Sequence, residues 1–280
     1  MKVASIIHPG VEVQELHSSV IDQEFQLYIK LPWNYDRVDT IYPVLFCLDG
    51  NRSFPLYSTM SLIYETPGTD SKEIIIVRIG YKVDSDRIKG LADWAVWRTR
   101  DLTPERNEEV ERFWKKRLSS LQEGDDRDIQ TGGASIFLEL LCEELIPFIE
   151  ANYRVSSGQR GLAGYSYGGL FTLYVLFHAS EMFSRYFAGS PSMCDQLCEY
   201  EEDYSSLHDD LRARVFITAG ALELDLVKQV QNLKERLCSR GYLGLELRTH
   251  VFDGEEHASA YAAYVSRALR VLYSENWTIT

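Results

Sequence analysis

Long apolar runs are missing from the 280-residue sequence. That removes a helical membrane span, which needs about 20 consecutive apolar residues. The amino terminus, MKVASIIHPG, carries one lysine and an apolar patch too short for a secretory h-region. Basic residues are outnumbered: 29 Lys and Arg stand against 42 Asp and Glu, a formal charge of −13. A surface of that sign repels phosphate backbones and anionic lipid, so neither nucleic acid nor a membrane is expected as a partner. The densest basic run, Lys115, Lys116 and Arg117, sits among glutamates and reads as a solvated helix face. Cysteine is sparse and odd in number. Cys47, Cys142, Cys194, Cys198 and Cys238 lie mostly in apolar periodic segments, predicting reduced core thiols in a cytoplasm rather than a disulfide framework. Cys194 and Cys198, one helical turn apart, match no usual zinc spacing, and no metal is expected. Internal repeats and low-complexity tracts are also lacking.

What is present is an alternation of strand and helix patterns. EFQLYIKL (24–31) alternates with period two, while PVLFCLD (43–49) and EIIIVRIG (73–80) are short apolar runs rich in branched residues. RGLAGY (160–165), RYFAGS (185–190), RVFITAG (214–220) and LELRTHVF (245–252) continue the series. Near-continuous apolar runs suit strands buried on both faces of a parallel sheet. Helical patterns cover 135–153, 168–179, 224–240 and 257–273. The reading is an α/β fold, a mostly parallel, doubly wound sheet with helices on both faces. The first two strand patterns have no helix between them and are expected to form an antiparallel start.

Residues 84–133 break this rhythm. The segment is highly charged, holds Trp94, Trp97 and Trp114, and ends in a glycine pair. Those rings and Phe113 need apolar surface to cover them, which argues for order. The segment reads either as a lid over a pocket or as a peripheral helical insert. One domain over 1–280 with a cap-like insertion at about 84–133 is the expected organisation.

Chemistry is suggested by GLAGYSYGGL (161–170), a G-x-S-x-G pattern around Ser166 placed after a strand and before a helix. That setting displays a serine hydroxyl at a helix amino terminus, where developing negative charge is favoured. Gly164 and Gly168 are expected to clear the space around it. A serine needs a base, and the base an orienting acid. Of the histidines that follow, His178 lies in an apolar helix, His208 in the acidic stretch YEEDYSSLHDD and His250 in a strand pattern. His257, in FDGEEHASAY between the last strand and the last helix, is best placed. The acid should leave the strand RVFITAG, which runs into ALELD and offers Glu223 or, alternatively, Asp225. An oxyanion hole is expected from the amide of Tyr167 and one in the DGNRSF loop, at Gly50 or Asn51. Trp97 and Tyr165 suit an apolar or aromatic acyl group, and Arg98 and Arg100 an anionic one or local ion pairs.

Taken together, SSVIDQEFQLYIKLPWNYD, YPVLFCLDGN, WRTRDLTP, GYSYGGL, AGSPS, AGALE and the GEEH before the last helix resemble the esterase D-like branch of the α/β-hydrolase fold. WRTRDLTP with AGSPS is most similar to siderophore esterases that open enterobactin- or bacillibactin-type trilactones. The resemblance covers nearly the whole chain. It implies Ser166 as nucleophile, His257 as base, Glu223 as acid, Asn51 with Tyr167 at the oxyanion hole, and no cofactor. A serine carboxylic ester hydrolase acting on small or aromatic esters is the leading expectation. A siderophore trilactone esterase and an acyltransferase on the same fold are the alternatives. The partner is a small-molecule ester, and oligomeric state is left open, a homodimer being one arrangement.

Overall fold

The computed structural model describes residues 10–65, 72–121 and 127–273. Among the described residues, eight strands form one sheet in the order β1-β2-β4-β3-β5-β6-β7-β8. β3 (Tyr42–Cys47), β4 (Ile75–Tyr81), β5 (Val155–Tyr165), β6 (Arg185–Gly189), β7 (Arg214–Gly220) and β8 (Glu246–Phe252) run parallel. β1 (Val11–Ser18) pairs antiparallel with β2 (Gln23–Lys30), which in turn pairs antiparallel with β4. The antiparallel start therefore differs from the expected one. The strand patterns at 24–31 and 43–49 are not neighbours, because β4 lies between them. Burial explains this. Every residue of β3 is buried, which demands a central place flanked by β4 and β5, whereas β2 keeps a half-exposed face toward the edge. β1, VEVQELHS, is the largely exposed outer strand, and its charges hide it from hydropathy patterning.

Helices cover both faces. α1 (Gly50–Tyr64) and the last helix, α9 (Ala260–Tyr273), pack on one side around Tyr57, Phe187, Phe216 and Tyr264. On the other side, Phe137, Phe171, Leu173 and Val175 close a larger core. They come from α4 (Ala134–Leu140) and α6 (Tyr167–His178). A π-helical turn (Leu141–Leu145) joins α4 to α5 (Ile146–Asn152). The acidic stretch before β7 is mostly helix, α7 (Gln196–Leu207). His208 closes that helix with its ring stacked on Tyr204. α8 (Leu224–Arg240) follows β7. Cys47 is buried, but Cys198 and Cys238 are exposed on α7 and α8, so the expectation of core thiols fails for those two.

Within 84–133 the structure shows two unlike helices. α2 (Arg87–Asp101) starts at Asp86, whose carboxylate accepts from the amides of Ile88 and Lys89, and it buries Trp94, Ala95, Arg98 and Thr99. α3 (Glu108–Leu121) buries only Leu118. Phe113, expected to be covered, is 60% exposed and meets the edge of Trp114. One half of the segment is thus built into the body, and the other meets it along a narrow line through Trp114 and Leu118. Residues 122–126 of the segment lie outside the described residues.

Candidate active site

The candidate groups gather at the carboxyl ends of β3, β5, β7 and β8, the edge where ligands of wound α/β sheets bind. Ser166, between β5 and α6, holds φ 60° and ψ −119°. An L-residue in that region costs on the order of 1–3 kcal/mol, so the surroundings must hold it there. They do so through main-chain bonds. Its N–H donates to Gly189 O at 2.9 Å, and its carbonyl accepts from Leu170 N and Ser192 N, each at 3.0 Å. A Cβ at Gly164 would lie 2.0 Å from Gly168 O, so only glycine fits. Gly168 is different from what the motif suggested: a Cβ there would meet Asp49 Oδ2 at 3.4 Å and Leu48 Cβ at 3.5 Å, ordinary contact distances.

His257, in the turn between β8 and α9, donates from Nδ1 to Glu223 Oε1 at 2.6 Å. Glu223 follows β7, and its other oxygen, Oε2, accepts from Gly220 N at 2.8 Å and Ser190 Oγ at 2.7 Å. Donors on Oε2 leave Oε1 for the imidazole. Of the two acids left open by the sequence, Glu223 is the one that reaches His257. Asp225 lies two residues on in the first turn of α8, 94% exposed, with Lys228 as its ion-pair partner. Among the described residues, the Ser166 hydroxyl has Ser192 Oγ as its hydrogen-bond neighbour at 3.3 Å and is not bonded to the imidazole. His178 and His250 lie elsewhere, at the end of α6 and within β8.

Asp49, between β3 and α1, adopts a left-handed conformation with φ 56°. An aspartate ahead of a helix usually caps it with its carboxylate. Here the carboxylate grips Arg98 instead, with Nε–Oδ1 at 2.6 Å and Nη2–Oδ2 at 2.8 Å, and both side chains are largely buried. The Asp49 carbonyl takes the amides of Arg52 and Ser53. The amides of Gly50 and Asn51 belong to the first helical turn and have no intrahelical acceptor. Asn51 is clamped by its own side chain, which donates to Tyr81 O and accepts from Tyr81 N, both at 2.7 Å. A Cβ at Gly50 would sit 2.7 Å from Gly80 N, so the two backbones touch where α1 leaves the sheet. The Tyr167 amide likewise opens α6. Two first-turn amide sets therefore flank the serine from different helices, an arrangement able to bind an oxyanion.

The remaining predicted residues are spent on protein. The guanidinium of Arg98 stacks on the rings of Trp94 and Tyr167, 4.7 and 5.2 Å from their centroids. Arg100 pairs with Asp101 at 2.6 Å and reaches Gln23 at 2.7 Å. Trp97 is half-buried beside Tyr81. The Tyr165 hydroxyl donates to His257 O at 2.7 Å and to Ser190 Oγ at 3.0 Å. Ser190 and Ser192 had no role in the sequence reading. The visible signal was AGSPS, a short motif directly after a strand end, but nothing local ties it to Glu223.

The residues 103–272 match the family model described as "Putative esterase". The chain belongs to this esterase family. It is 28% identical to "Ferri-bacillibactin esterase BesA" of Bacillus subtilis (strain 168), over 94% of this chain and 89% of that protein. It is 25% identical to "Siderophore triacetylfusarinine C esterase" of Aspergillus fumigatus, over 84% of this chain and 82% of that one. The crystal structure of BES protein from Bacillus cereus superposes with a TM-score of 0.79 at 28% identity, covering 98% of this chain and 99% of that one. This esterase is thus an ester hydrolase on a mostly parallel, eight-stranded α/β-hydrolase sheet. Among the described residues, no helix is long and apolar enough to cross a membrane.

Proposed function

We propose that this esterase opens the ester bonds of a siderophore macrocycle, with Ser166 as nucleophile, His257 as base and Glu223 as acid. The observation that carries the chemistry is the Glu223–His257 contact of 2.6 Å beside a serine held at positive φ. The choice of a siderophore over a small aromatic ester is supported by the relatives that match along most of the chain, whose names specify siderophore esters. In the first step Ser166 Oγ bonds to the ester carbonyl carbon while its proton passes to His257 Nε2. The oxyanion is received by the amides of Tyr167 and of Gly50 or Asn51. The C–O bond to the alcohol breaks, and that oxygen takes the proton from Nε2. Water then repeats the sequence on the acyl enzyme and releases the acid. Residues 84–133 serve as a cap beside this site, anchored by α2. The free thiols support a reducing compartment, the cytoplasm.

The test compares a trilactone siderophore, with and without iron, against nitrophenyl acetate, following ring opening by mass spectrometry. A kcat/KM of about 10⁴ M⁻¹s⁻¹ or more on the trilactone is expected, with much slower turnover of the simple ester. Ser166→Ala should abolish both activities and fluorophosphonate labelling. Equal turnover of the two substrates would refute the siderophore assignment, and an active Ser166→Ala would refute the nucleophile.

A further inference from the structure

The residue just before the candidate nucleophile is wired to both members of the acid–base pair. Tyr165 ends β5, and its phenol shares one proton between His257 O at 2.7 Å and Ser190 Oγ at 3.0 Å. Ser190, buried after β6 with φ 34°, donates its hydroxyl hydrogen bond to Glu223 Oε2 at 2.7 Å. This direction is forced, because an ionised carboxylate can only accept. The tyrosine ring is fixed from two sides, edge-on to Tyr261 at 4.9 Å and to Tyr264 at 5.0 Å, and its centroid is 5.3 Å from that of His257. Tyr264 is anchored in turn by donating to Gly164 O at 2.7 Å. Burial first, then the nearby acids Glu223 and Glu255, hold the phenol well above its ordinary value despite the opposing bond to Ser190, so it stays a donor at every working pH.

We propose that Tyr165 and Ser190 are positioning residues. Together they set the orientation of the Glu223–His257 pair relative to Ser166, instead of lining the substrate pocket. Four strand ends, those of β5, β6, β7 and β8, are joined through two hydroxyl groups. The proton that moves in catalysis never passes along this chain. Its effect is geometric, and it keeps Oε1 of Glu223 aimed at Nδ1 of His257. The inference rests on the assignment of Glu223 and His257 as the acid–base pair.

A double-mutant cycle with nitrophenyl acetate tests it without reference to the natural substrate. Tyr165→Phe keeps the ring and deletes the hydroxyl, and Ser190→Ala deletes the next link. Each is expected to lower kcat by about tenfold with KM nearly unchanged, the pattern of a lost orientation. In a Glu223→Gln background the same changes should cost less than about twofold, because residues acting through one partner are non-additive. The acid limb of the kcat/KM profile should also move in Tyr165→Phe, since the main-chain carbonyl of His257 loses the hydroxyl that fixes it and the imidazole is held less firmly against Glu223. Equal losses in both backgrounds, or a rise in KM alone, would overturn the proposal and return Tyr165 to the substrate pocket. If either variant failed to fold, the other carries the cycle. A Glu223→Gln enzyme with wild-type kcat would instead refute the acid assignment, a separate result.

Discussion

Arg98 and Asp49 form a two-pronged ion pair that joins α2 to the turn after β3, with contacts of 2.6 and 2.8 Å. The charge of Arg98 is therefore consumed inside the protein. Burial acting alone would lower the guanidinium, but the charge of Asp49 and its hydrogen bonds raise it above its ordinary value. Arg98→Ala leaves a largely buried carboxylate without its partner, and a loss of about 3 kcal/mol is expected. Arg98→Lys should recover part of this, since a point cation cannot grip two oxygens. Urea unfolding reads both. A shift below about 1 kcal/mol would mean the pair does not hold the turn.

The two motif glycines should respond in opposite ways. Gly164→Ala drives a methyl group into Gly168 O and is expected to cost more than about 3 kcal/mol or prevent folding. Gly168→Ala meets ordinary contacts and should fold and label with fluorophosphonate like the parent. Soluble yield and labelling of the pair decide the point, and equal sensitivity of both sites would contradict the geometry.

For the acid, Glu223→Ala is expected to reduce kcat by about 10²–10⁴-fold, in the range seen when the orienting carboxylate of a triad is lost. Asp225→Ala removes only an exposed partner of Lys228 and should stay within about twofold. Steady-state kinetics on one activated ester suffice. Reversed effects would place the acid on α8.

Acid sensitivity is expected from Glu201, a fully buried carboxylate on α7 that bonds Arg236, Arg240 and Tyr242. Burial pushes this carboxyl up, yet the bonds from Arg240, Arg236 and Tyr242 outweigh it and bring it below its ordinary 4.5. A lowered folded-state value means the unfolded chain takes up the proton first. Stability is therefore present above the ordinary value and falls as pH drops from about 5 through the folded value. Glu201→Gln should flatten that slope and cost about 1.5–3 kcal/mol at neutral pH. Urea midpoints across the acid range measure both effects, and an unchanged slope would remove Glu201 as the cause.

The central strands were legible because each is a short branched run bounded by turn residues, and β3 through β8 fall where those runs lie. β1 was not, because an edge strand needs no apolar face that patterning can detect. The order of β2, β3 and β4 was also hidden, since pairing depends on which strand tolerates exposure and not on chain order. At the site, Ser166, Glu223 and His257 were readable as residue types at strand ends. The service of Asp49 to Arg98, and of Ser190 to Glu223, was not. Both depend on partners 49 and 33 residues away in sequence. α3 misled through its aromatic rings, for Phe113 shows that a large side chain can stay uncovered when its helix touches the body along one narrow line.

The strand order has a consequence in time. Ser166 follows β5 near the middle of the sheet, Asp49 stands in the turn after β3, and His257 belongs to the turn after β8, the strand at the edge. Pairings between distant segments form late, after nearer ones have paid their closure cost. β8 pairs with β7, its neighbour along the chain, whereas β3 must find β5 across a much longer stretch. A refolding molecule can therefore bring Glu223 and His257 together while the turn at Asp49 is still away from Ser166. Recovery of turnover should then mark the joining of β3 to β5, making catalysis a clock for that closure.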